Sequence, residues 1–223
     1  NNGYEPFIAT GRSPAETRDI MESANIHSGI FMNGQVVLYQ GERVYSSEIP
    51  TETVEKFHQM VKEDGYGLTA YNDKQFYLVA SSPGAKDAYG FIHSNPPALN
   101  PDFYKENPIN MMLFISLPPA EEKYKVAFPN LDFLRNTPYS VDVISKGNSK
   151  AEGIKRFLEH LNQEDAKTYA FGDGPNDIEM LQAVSHPVAM GNALPILKEI
   201  AEFITTDNTD NGIVNGLKHY GLI

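Results

Sequence analysis

The segment Phe171-Gly172-Asp173-Gly174-Pro175-Asn176-Asp177 carries two carboxylates and one amide within five residues. A predicted strand from Thr168 to Phe171 ends there, and apolar residues at helical spacing follow. Ligands of an open α/β sheet bind at this edge, where the strands end. Carboxylate and amide oxygens are hard ligands that suit Mg²⁺. The segment therefore indicates a Mg²⁺ site, although the same residue types also favour an ordinary polar turn.

A second strand end occurs at Ile8-Ala9-Thr10-Gly11-Arg12-Ser13. The Thr10 hydroxyl and the backbone N–H groups that follow it can hold phosphoryl oxygens at the start of a helix. The alternative is a simple helix start, since Ser13 and Glu16 have the spacing of a capping box.

A third segment, Lys146-Gly147-Asn148-Ser149-Lys150, places a cation at the start of a predicted helix. A lysine there opposes the helix dipole, so its presence indicates an anion that it neutralises. The alternative is an ordinary surface lysine. Charge alone does not decide between Lys146 and Lys150.

The three segments lie where predicted strands and helices alternate, towards both ends of the chain. This alternation predicts a parallel sheet covered on both faces. The middle of the chain differs, with successive strand-like runs that predict a separate α+β unit. We therefore predict an α/β fold with a doubly wound parallel-sheet core in segments 1–45 and 141–223, and an inserted unit at 46–140. The strand-like runs of that unit are Gly67 to Tyr71, Phe76 to Ala80, Met111 to Ser116 and Tyr124 to Phe128.

The composition excludes several classes of protein. The net charge is −11 and no basic stretch stands out, which argues against a nucleic-acid partner. There are no cysteines, so disulfides, thiolate zinc sites and a cysteine nucleophile are excluded.

The longest apolar run, Met111 to Leu117, is too short to span a membrane. We expect a cytoplasmic protein, and its oligomeric state is left open.

Taken together, the three segments resemble the motifs of the haloacid dehalogenase (HAD) superfamily in their order and at their strand ends. The resemblance is closer to the Cof-type sugar-phosphatase-like group with a type IIB cap. It implies a Rossmann-like core, a cap formed by the inserted unit, and Mg²⁺-dependent hydrolysis of small phosphorylated metabolites through an aspartyl-phosphate. Supporting stretches are Phe31-Met32-Asn33-Gly34, Val188-Ala189-Met190-Gly191-Asn192-Ala193 and Asp210-Asn211-Gly212-Ile213-Val214.

The resemblance also implies roles for individual residues. Thr10 would bind the transferred phosphoryl group, and Lys150, which it favours over Lys146, would offset the negative charge. Asp173 would ligate Mg²⁺, and Asn176 and Asp177 would complete or orient the metal site. The implied substrate-binding residues are Thr10, Gly11, Arg12, Lys150 and Asn176.

One departure from the family pattern is important. Members begin with a strand that ends in Asp-x-Asp-Gly-Thr, which supplies the nucleophile and the general acid–base. No such motif occurs in the 223 residues, since Asp142-Val143-Ile144 and Asp207-Asn208-Thr209 lack its second Asp and its Gly. We expect a missing strand and helix, on the order of 30 residues, upstream of Asn1. We also expect the 223-residue chain alone to be inactive and poorly stable, because unpaired buried backbone groups are costly.

Two alternatives remain open from the sequence. The chain can be a non-enzymatic relic that binds phosphate or metal without a nucleophile. It can also be a phosphomutase or phosphotransferase on the same fold. An upstream Asp-x-Asp-Gly-Thr would exclude the relic, and product analysis with competing acceptors would identify a transferase.

Overall fold

The computed structural model describes residues 3–223. Asn1 and Asn2, at which the predicted first core segment begins, lie outside the described residues. Within the described range the strands form three sheets, of four, three and five strands. No helix in residues 3–223 is both long and apolar enough to cross a membrane.

The first sheet is mixed, in the order β1-β2-β3-β4. Its first two strands are parallel, and the next two pairs are antiparallel. The predicted capping box is confirmed: the Ser13 N–H donates to the Glu16 carboxylate at 2.8 Å, and the Glu16 N–H donates to the Ser13 hydroxyl oxygen at 3.4 Å. The elements are β1 (Ile8–Ala9), α1 (Pro14–Ala24), β2 (Gly29–Phe31), β3 (Val36–Tyr39) and β4 (Glu42–Ser46).

The middle of the chain forms an antiparallel sheet in the order β6-β5-β7-β9-β8. Helix α2 buries Val54, Phe57 and Val61, at helical spacing, in the large apolar cluster of this unit. The Phe57 ring lies 5.7 Å from that of Phe114 and 5.0 Å from that of Tyr124, between ring centres. The elements are α2 (Thr51–Asp64), β5 (Gly67–Tyr71), β6 (Phe76–Ala80), α3 (Ala85–Phe91), α4 (Phe103–Glu106), β7 (Met111–Ile115), α5 (Glu121–Ala127), β8 (Leu131–Thr137) and β9 (Ser140–Ser145).

Two predictions about this unit were wrong. The run from Tyr124 to Phe128 is not a strand, since most of it belongs to helix α5. Glu121 and Glu122 favour the start of that helix, and Tyr124 is buried while Val126 is 84% exposed. Within the predicted core segment 141–223, the first strand also does not belong to the parallel sheet, because β9 pairs antiparallel with β7 and β8. The division of the chain into segments 1–45, 46–140 and 141–223 stays a prediction.

The C-terminal part alternates helices and strands as predicted, and its three strands are all parallel. Helices α7 and α8 bury Leu181 and Leu197 against this sheet, together with Ala189. The last helix was not predicted. The elements are α6 (Lys150–Leu161), β10 (Tyr169–Gly172), α7 (Ile178–Ala183), β11 (His186–Ala189), α8 (Pro195–Ile200), β12 (Phe203–Ile204) and α9 (Gly212–His219).

Strands β1 and β10 each lie at the edge of their sheet, and each pairs on one side only within residues 3–223. Their side chains are nevertheless close, because Ala9 of β1 packs against the cluster that contains Ala170 of β10. Thr10 follows β1 directly and Asp173 follows β10 directly. The fold therefore brings the two predicted strand-end segments to neighbouring sheet edges.

Candidate active site

The predicted site segments are joined by a continuous series of hydrogen bonds through Asn33. The Asn33 backbone N–H donates to the Thr10 carbonyl at 3.1 Å. The Asn33 side-chain oxygen accepts from the Asn176 amide at 3.0 Å. Asn33 is 1% exposed and has a positive φ of 54°. The strand end after β1 and the one after β10 therefore belong to one cluster.

Lys150 and Asp177 form a buried ion pair at the centre of this cluster. The Lys150 Nζ lies 2.6 Å from the Asp177 Oδ1, and each side chain is 7% exposed. Lys150 is the first residue of α6, where the Ser149 side chain caps the helix. Asp177 thus supplies the anion that a lysine at a helix start requires. Lys146 lies outside the cluster, with its exposed ammonium 3.4 Å from the Pro129 carbonyl oxygen.

Asp177 also fixes the loop that precedes it. Its Oδ2 accepts the backbone N–H of Asp173 at 2.9 Å and that of Gly174 at 3.0 Å. A Cβ at Gly172 would lie 2.7 Å from the Asp177 Cβ, so the carboxylate can approach only because position 172 has no side chain. Both oxygens of Asp177 are therefore occupied by donors of the protein itself.

The Asp173 carboxylate is more open. Its Oδ2 accepts from the Asn192 amide at 2.8 Å, and no protein donor in residues 3–223 reaches its Oδ1. Within the same range there is no group of three or more acidic, His or Cys side chains that could hold a metal. Mg²⁺ commonly binds through one or two carboxylates together with water and substrate phosphate. Asp173 fits that mode, because Asn192 orients its Oδ2 while its Oδ1 stays open within residues 3–223. Asn176 lies in the same loop.

The loop after β1 provides hydrogen-bond donors. The Thr10 Oγ1 accepts from the Arg12 N–H at 3.1 Å, which leaves the hydroxyl proton free to donate. The Gly11 N–H makes no hydrogen bond to any residue of the described range. The Arg12 side chain is exposed at the same turn. Two donors and a guanidinium thus stand at the strand end where phosphoryl binding was predicted.

The position of Lys150 depends on a close backbone contact. Gly34 follows Asn33 and has a φ of 92°, a backbone conformation that residues with a Cβ rarely adopt. A Cβ at Gly34 would lie 2.1 Å from the carbonyl oxygen of Ser149, the residue before Lys150. The start of α6 therefore rests directly on the turn that contains Asn33.

Sequence reasoning missed three residues of the site. Asn33 and Asn192 lay within stretches that supported the resemblance, but neither was assigned a role. Asp142 was considered only as a nucleophile and rejected. Each follows or lies in a strand beside the site, which was a usable signal for Asn33 and Asn192. Asp142 could not be placed, because its strand was assigned to the wrong sheet.

Asp142 reaches the cluster from β9. Its Oδ2 accepts from the Asn33 amide at 2.9 Å and from the Asn136 amide at 3.1 Å. Burial raises the pKa of the Asp142 carboxyl to about 6, and these two hydrogen bonds counteract part of that rise. The charge of Glu16 raises the pKa further, whereas that of Lys150 lowers it.

Comparisons with known proteins agree with this geometry. A family model described as haloacid dehalogenase-like hydrolase matches residues 1–217. The Bacillus subtilis protein named "Putative phosphatase YkrA" is 37% identical over 222 residues, which cover 99% of this chain and 86% of the relative.

Two solved structures extend the comparison. A protein of Geobacillus kaustophilus HTA426 has a TM-score of 0.92 at 33% identity, covering 100% of this chain and 87% of that one. The HAD subclass IIB sugar phosphatase BT4131 has a TM-score of 0.84 at 28% identity, covering 99% and 87%. These likenesses confirm the predicted Rossmann-like core with an inserted cap and the Cof-type resemblance. The chain belongs to the haloacid dehalogenase-like hydrolases.

Proposed function

We propose that this protein is a Mg²⁺-dependent phosphatase that hydrolyses small phosphorylated metabolites of the sugar-phosphate kind. The observation that carries the proposal is the single cluster in which Asn33 joins the loop of Thr10 to that of Asn176, next to the Lys150–Asp177 pair. The names of the relatives, a phosphatase and a sugar phosphatase, support the same class of reaction.

The residues of the cluster match the needs of phosphoryl transfer, which depends on positioning and on neutralising charge. The Gly11 N–H and the Thr10 hydroxyl would donate to the phosphoryl oxygens. The Lys150 ammonium would offset their charge while Asp177 holds it in place. Mg²⁺ held by Asp173, with Asn176 and Asp177 completing or orienting its site, would supply further neutralisation of the phosphate oxygens.

The nucleophile is the remaining requirement. A carboxylate nucleophile would form an aspartyl-phosphate that water then cleaves. Since the 223 residues hold no Asp-x-Asp-Gly-Thr, we propose that they do not turn over alone. The one-sided pairing of β1 and β10 in the described residues supports this, because a strand that delivers a carboxylate beside Thr10 and Asp173 has two edges to pair with.

The proposal is tested with p-nitrophenyl phosphate and Mg²⁺. We expect no turnover by the 223-residue chain, and turnover by a version extended with the coding sequence upstream of Asn1, if that sequence encodes Asp-x-Asp-Gly-Thr. Asp173→Asn in the extended version should abolish turnover, whereas Asp165→Asn, at an exposed position, should not. Turnover by the 223-residue chain equal to that of the extended version would contradict the proposal.

A second candidate, kept from the sequence, is a relic that binds phosphate or metal without catalysis. An upstream reading frame without Asp-x-Asp-Gly-Thr, together with binding of inorganic phosphate, would favour it. A phosphomutase or phosphotransferase would instead transfer the phosphoryl group to an added alcohol or sugar, which product analysis detects.

A further inference from the structure

A polar pair on the five-stranded sheet faces the candidate active site. Asp142 of β9 and Asn136 of β8 are joined by the 3.1 Å hydrogen bond between the Asn136 amide and the Asp142 carboxylate. Ile144, two residues along β9, packs in a cluster with Phe31 of β2 and with Met32, which follows that strand. Because residues two apart on a strand share a face, Asp142 lies on the face that meets the core.

An irregularity in β8 positions the second member of the pair. Leu134 pairs with Asp142 and Thr137 pairs with Ser140, so β8 has one residue more than β9 between these two pairs. Such bulges bend a strand and re-aim its side chains. Arg135, within the bulge, is held by two hydrogen bonds to the Glu121 carboxylate, at 2.7 and 2.6 Å. Arg135 thus anchors the bulge, and the next residue, Asn136, is placed within hydrogen-bond distance of Asp142.

The pair lies close to the predicted phosphoryl-binding loop. The Asp142 Oδ2 would be 3.2 Å from a Cβ built on Gly11, the residue whose N–H has no hydrogen-bond acceptor within residues 3–223. The Asp142 carboxylate also has an unused acceptor, since its Oδ1 accepts no hydrogen bond from residues 3–223. Asn136 is exposed, and its side-chain oxygen likewise has no donor in that range. Two acceptors therefore stand free beside the place of the phosphoryl group.

We propose that the Asp142–Asn136 pair is the specificity-determining element of this protein, and that it recognises hydroxyl groups on the organic part of a phosphate monoester. This inference rests on the proposed function and deepens it. Free carboxylate and amide oxygens accept hydrogen bonds from hydroxyl groups, and bonds to a charged acceptor are the stronger ones. The negative charge of Asp142 also disfavours an organic part that carries a carboxylate or a second phosphate.

A purely structural role of Asp142 would not account for the whole arrangement. A link between the sheets needs only the Asn33–Asp142 hydrogen bond, which uses the Oδ2 atom. It needs neither the exposed Asn136 nor a free Oδ1. The two readings differ in a measurable way, because a structural link affects all phosphorylated ligands equally, whereas a recognition element separates them by the hydroxyl groups they carry.

The test measures binding by calorimetry in Mg²⁺, using the chain extended with the coding sequence upstream of Asn1, in which the first Asp of any Asp-x-Asp-Gly-Thr is replaced by Asn so that no ester is hydrolysed. The probes are inorganic phosphate, a panel of glucose 6-phosphate, mannose 6-phosphate, ribose 5-phosphate and glycerol 3-phosphate, and cyclohexylmethyl phosphate, which has a ring without hydroxyls. We expect at least one hydroxylated ester to bind about tenfold more tightly than cyclohexylmethyl phosphate, as for one hydrogen bond to a charged group. We expect 3-phosphoglycerate, which adds a carboxylate, to bind less tightly than glycerol 3-phosphate.

Asp142→Ala should remove the preference for the hydroxylated ester, measured as the ratio of its affinity to that of cyclohexylmethyl phosphate. Asn136→Ala is a second variant at an exposed position, so it tests the pair even if Asp142→Ala fails to fold, and it should lower the preference. Asp87→Ala, an exposed carboxylate on α3, is the matched control and should change nothing.

The outcomes separate this inference from the proposed function. An unchanged preference in Asn136→Ala and in any folded Asp142→Ala, with phosphate still bound, overturns the inference and leaves the phosphatase proposal intact. Equal affinities of the wild-type chain for all the organic esters also overturn it alone. A wild-type chain that binds no phosphate and no ester in Mg²⁺ overturns the phosphate site itself, and the inference with it.

Discussion

The five-stranded sheet and the two smaller sheets divide the tasks of this molecule unequally. The five-stranded sheet encloses a continuous apolar cluster in which Phe57, Phe114 and Tyr124 contact one another and are almost fully buried. The smaller sheets have short strands, two of them only two residues long, and smaller clusters. Yet the smaller sheets carry the buried ion pair and the polar loops of the candidate site.

The difference indicates that the part with the best-developed core is not the part that carries most of the candidate site. Buried polar groups cost free energy unless each is paired, whereas apolar clusters stabilise in proportion to the area they bury. The smaller sheets therefore depend on pairing, and the five-stranded sheet on packing. Substitutions in the two regions should differ in what they damage.

The largest effect is expected from Asp177→Ala. It leaves the Lys150 ammonium buried without its partner and removes the acceptor of two backbone N–H groups. We expect a loss of about 3–5 kcal/mol in the free energy of unfolding. Binding of inorganic phosphate should be lost as well. Urea unfolding and calorimetry measure the two effects, and the exposed Asp165→Ala serves as control. A stable variant that still binds phosphate would contradict the role of the pair.

Phe114→Ala should damage stability without damaging the site. The ring is fully buried, 4.4 Å from that of Tyr124 between centres. Its loss should cost about 3–5 kcal/mol through lost burial and the cavity left behind. Phosphate affinity, measured below the unfolding transition, should stay unchanged. Leu117→Ala, at a side chain 60% exposed, is the matched control and should have little effect. Lost phosphate binding in folded Phe114→Ala would remove the proposed division of tasks.

A smaller effect should come from the pH dependence of Asp142, which lies where the two regions meet. Its pKa is raised to about 6 in the folded state from an ordinary value of 3.8. The folded protein therefore binds the proton more tightly than the unfolded chain does. The contribution of Asp142 to stability should fall as the pH rises from about 4 to 6, and change little outside that window.

Urea unfolding of the wild type and of Asp142→Asn across this range isolates the contribution of Asp142, because the amide does not titrate. The charged groups that act on it, Glu16 and Lys150, are present in both proteins. We expect the stability of the wild type to fall relative to the variant between pH 4 and 6. A difference that is constant, or that rises with pH, would contradict the assignment. Asp87→Asn controls for the loss of one charge.

The smallest effect is expected from Glu52→Gln. Glu52 and Lys56 form an ion pair on the exposed side of α2, with side chains 77% and 66% exposed. Solvent and salt screen such pairs, and many contribute nothing measurable. We expect an unfolding midpoint in urea that matches the wild type within error. A clear shift would show that charge on the surface of α2 matters to the five-stranded sheet.

Much of the fold was predictable from the sequence because local signals agreed with tertiary structure. The capping box at Ser13 and the Gly-Asp-Gly-Pro-Asn-Asp turn at the end of β10 are both set by residues close in sequence. The errors arose where pairing over long distances decides. Strand β9 is such a case, because only its antiparallel pairing with β7 and β8 places Val141 outside the parallel sheet.

The candidate site was predictable to about the same extent as the fold. Thr10, Lys150 and Asp177 stand at strand ends or helix starts, where short motifs are informative. The positions of Asp142 and Asn136 beside the site depend on the bulge in β8 and on the pairing of β9 with β7 and β8. No local sequence pattern indicates the bulge or the pairing. The roles assigned to the site residues stay predictions until binding and turnover are measured.

The contact between Gly34 and Ser149 has one further consequence. Because it joins main chain to main chain, the backbone position from which the Lys150 side chain extends to Asp177 is governed by the route of the polypeptide. Even a methyl group at residue 34 would push the start of α6 outward. The cation would then be displaced while every polar side chain of the site kept its identity. Position 34 is thus a site at which activity can be lost without touching a single reactive group.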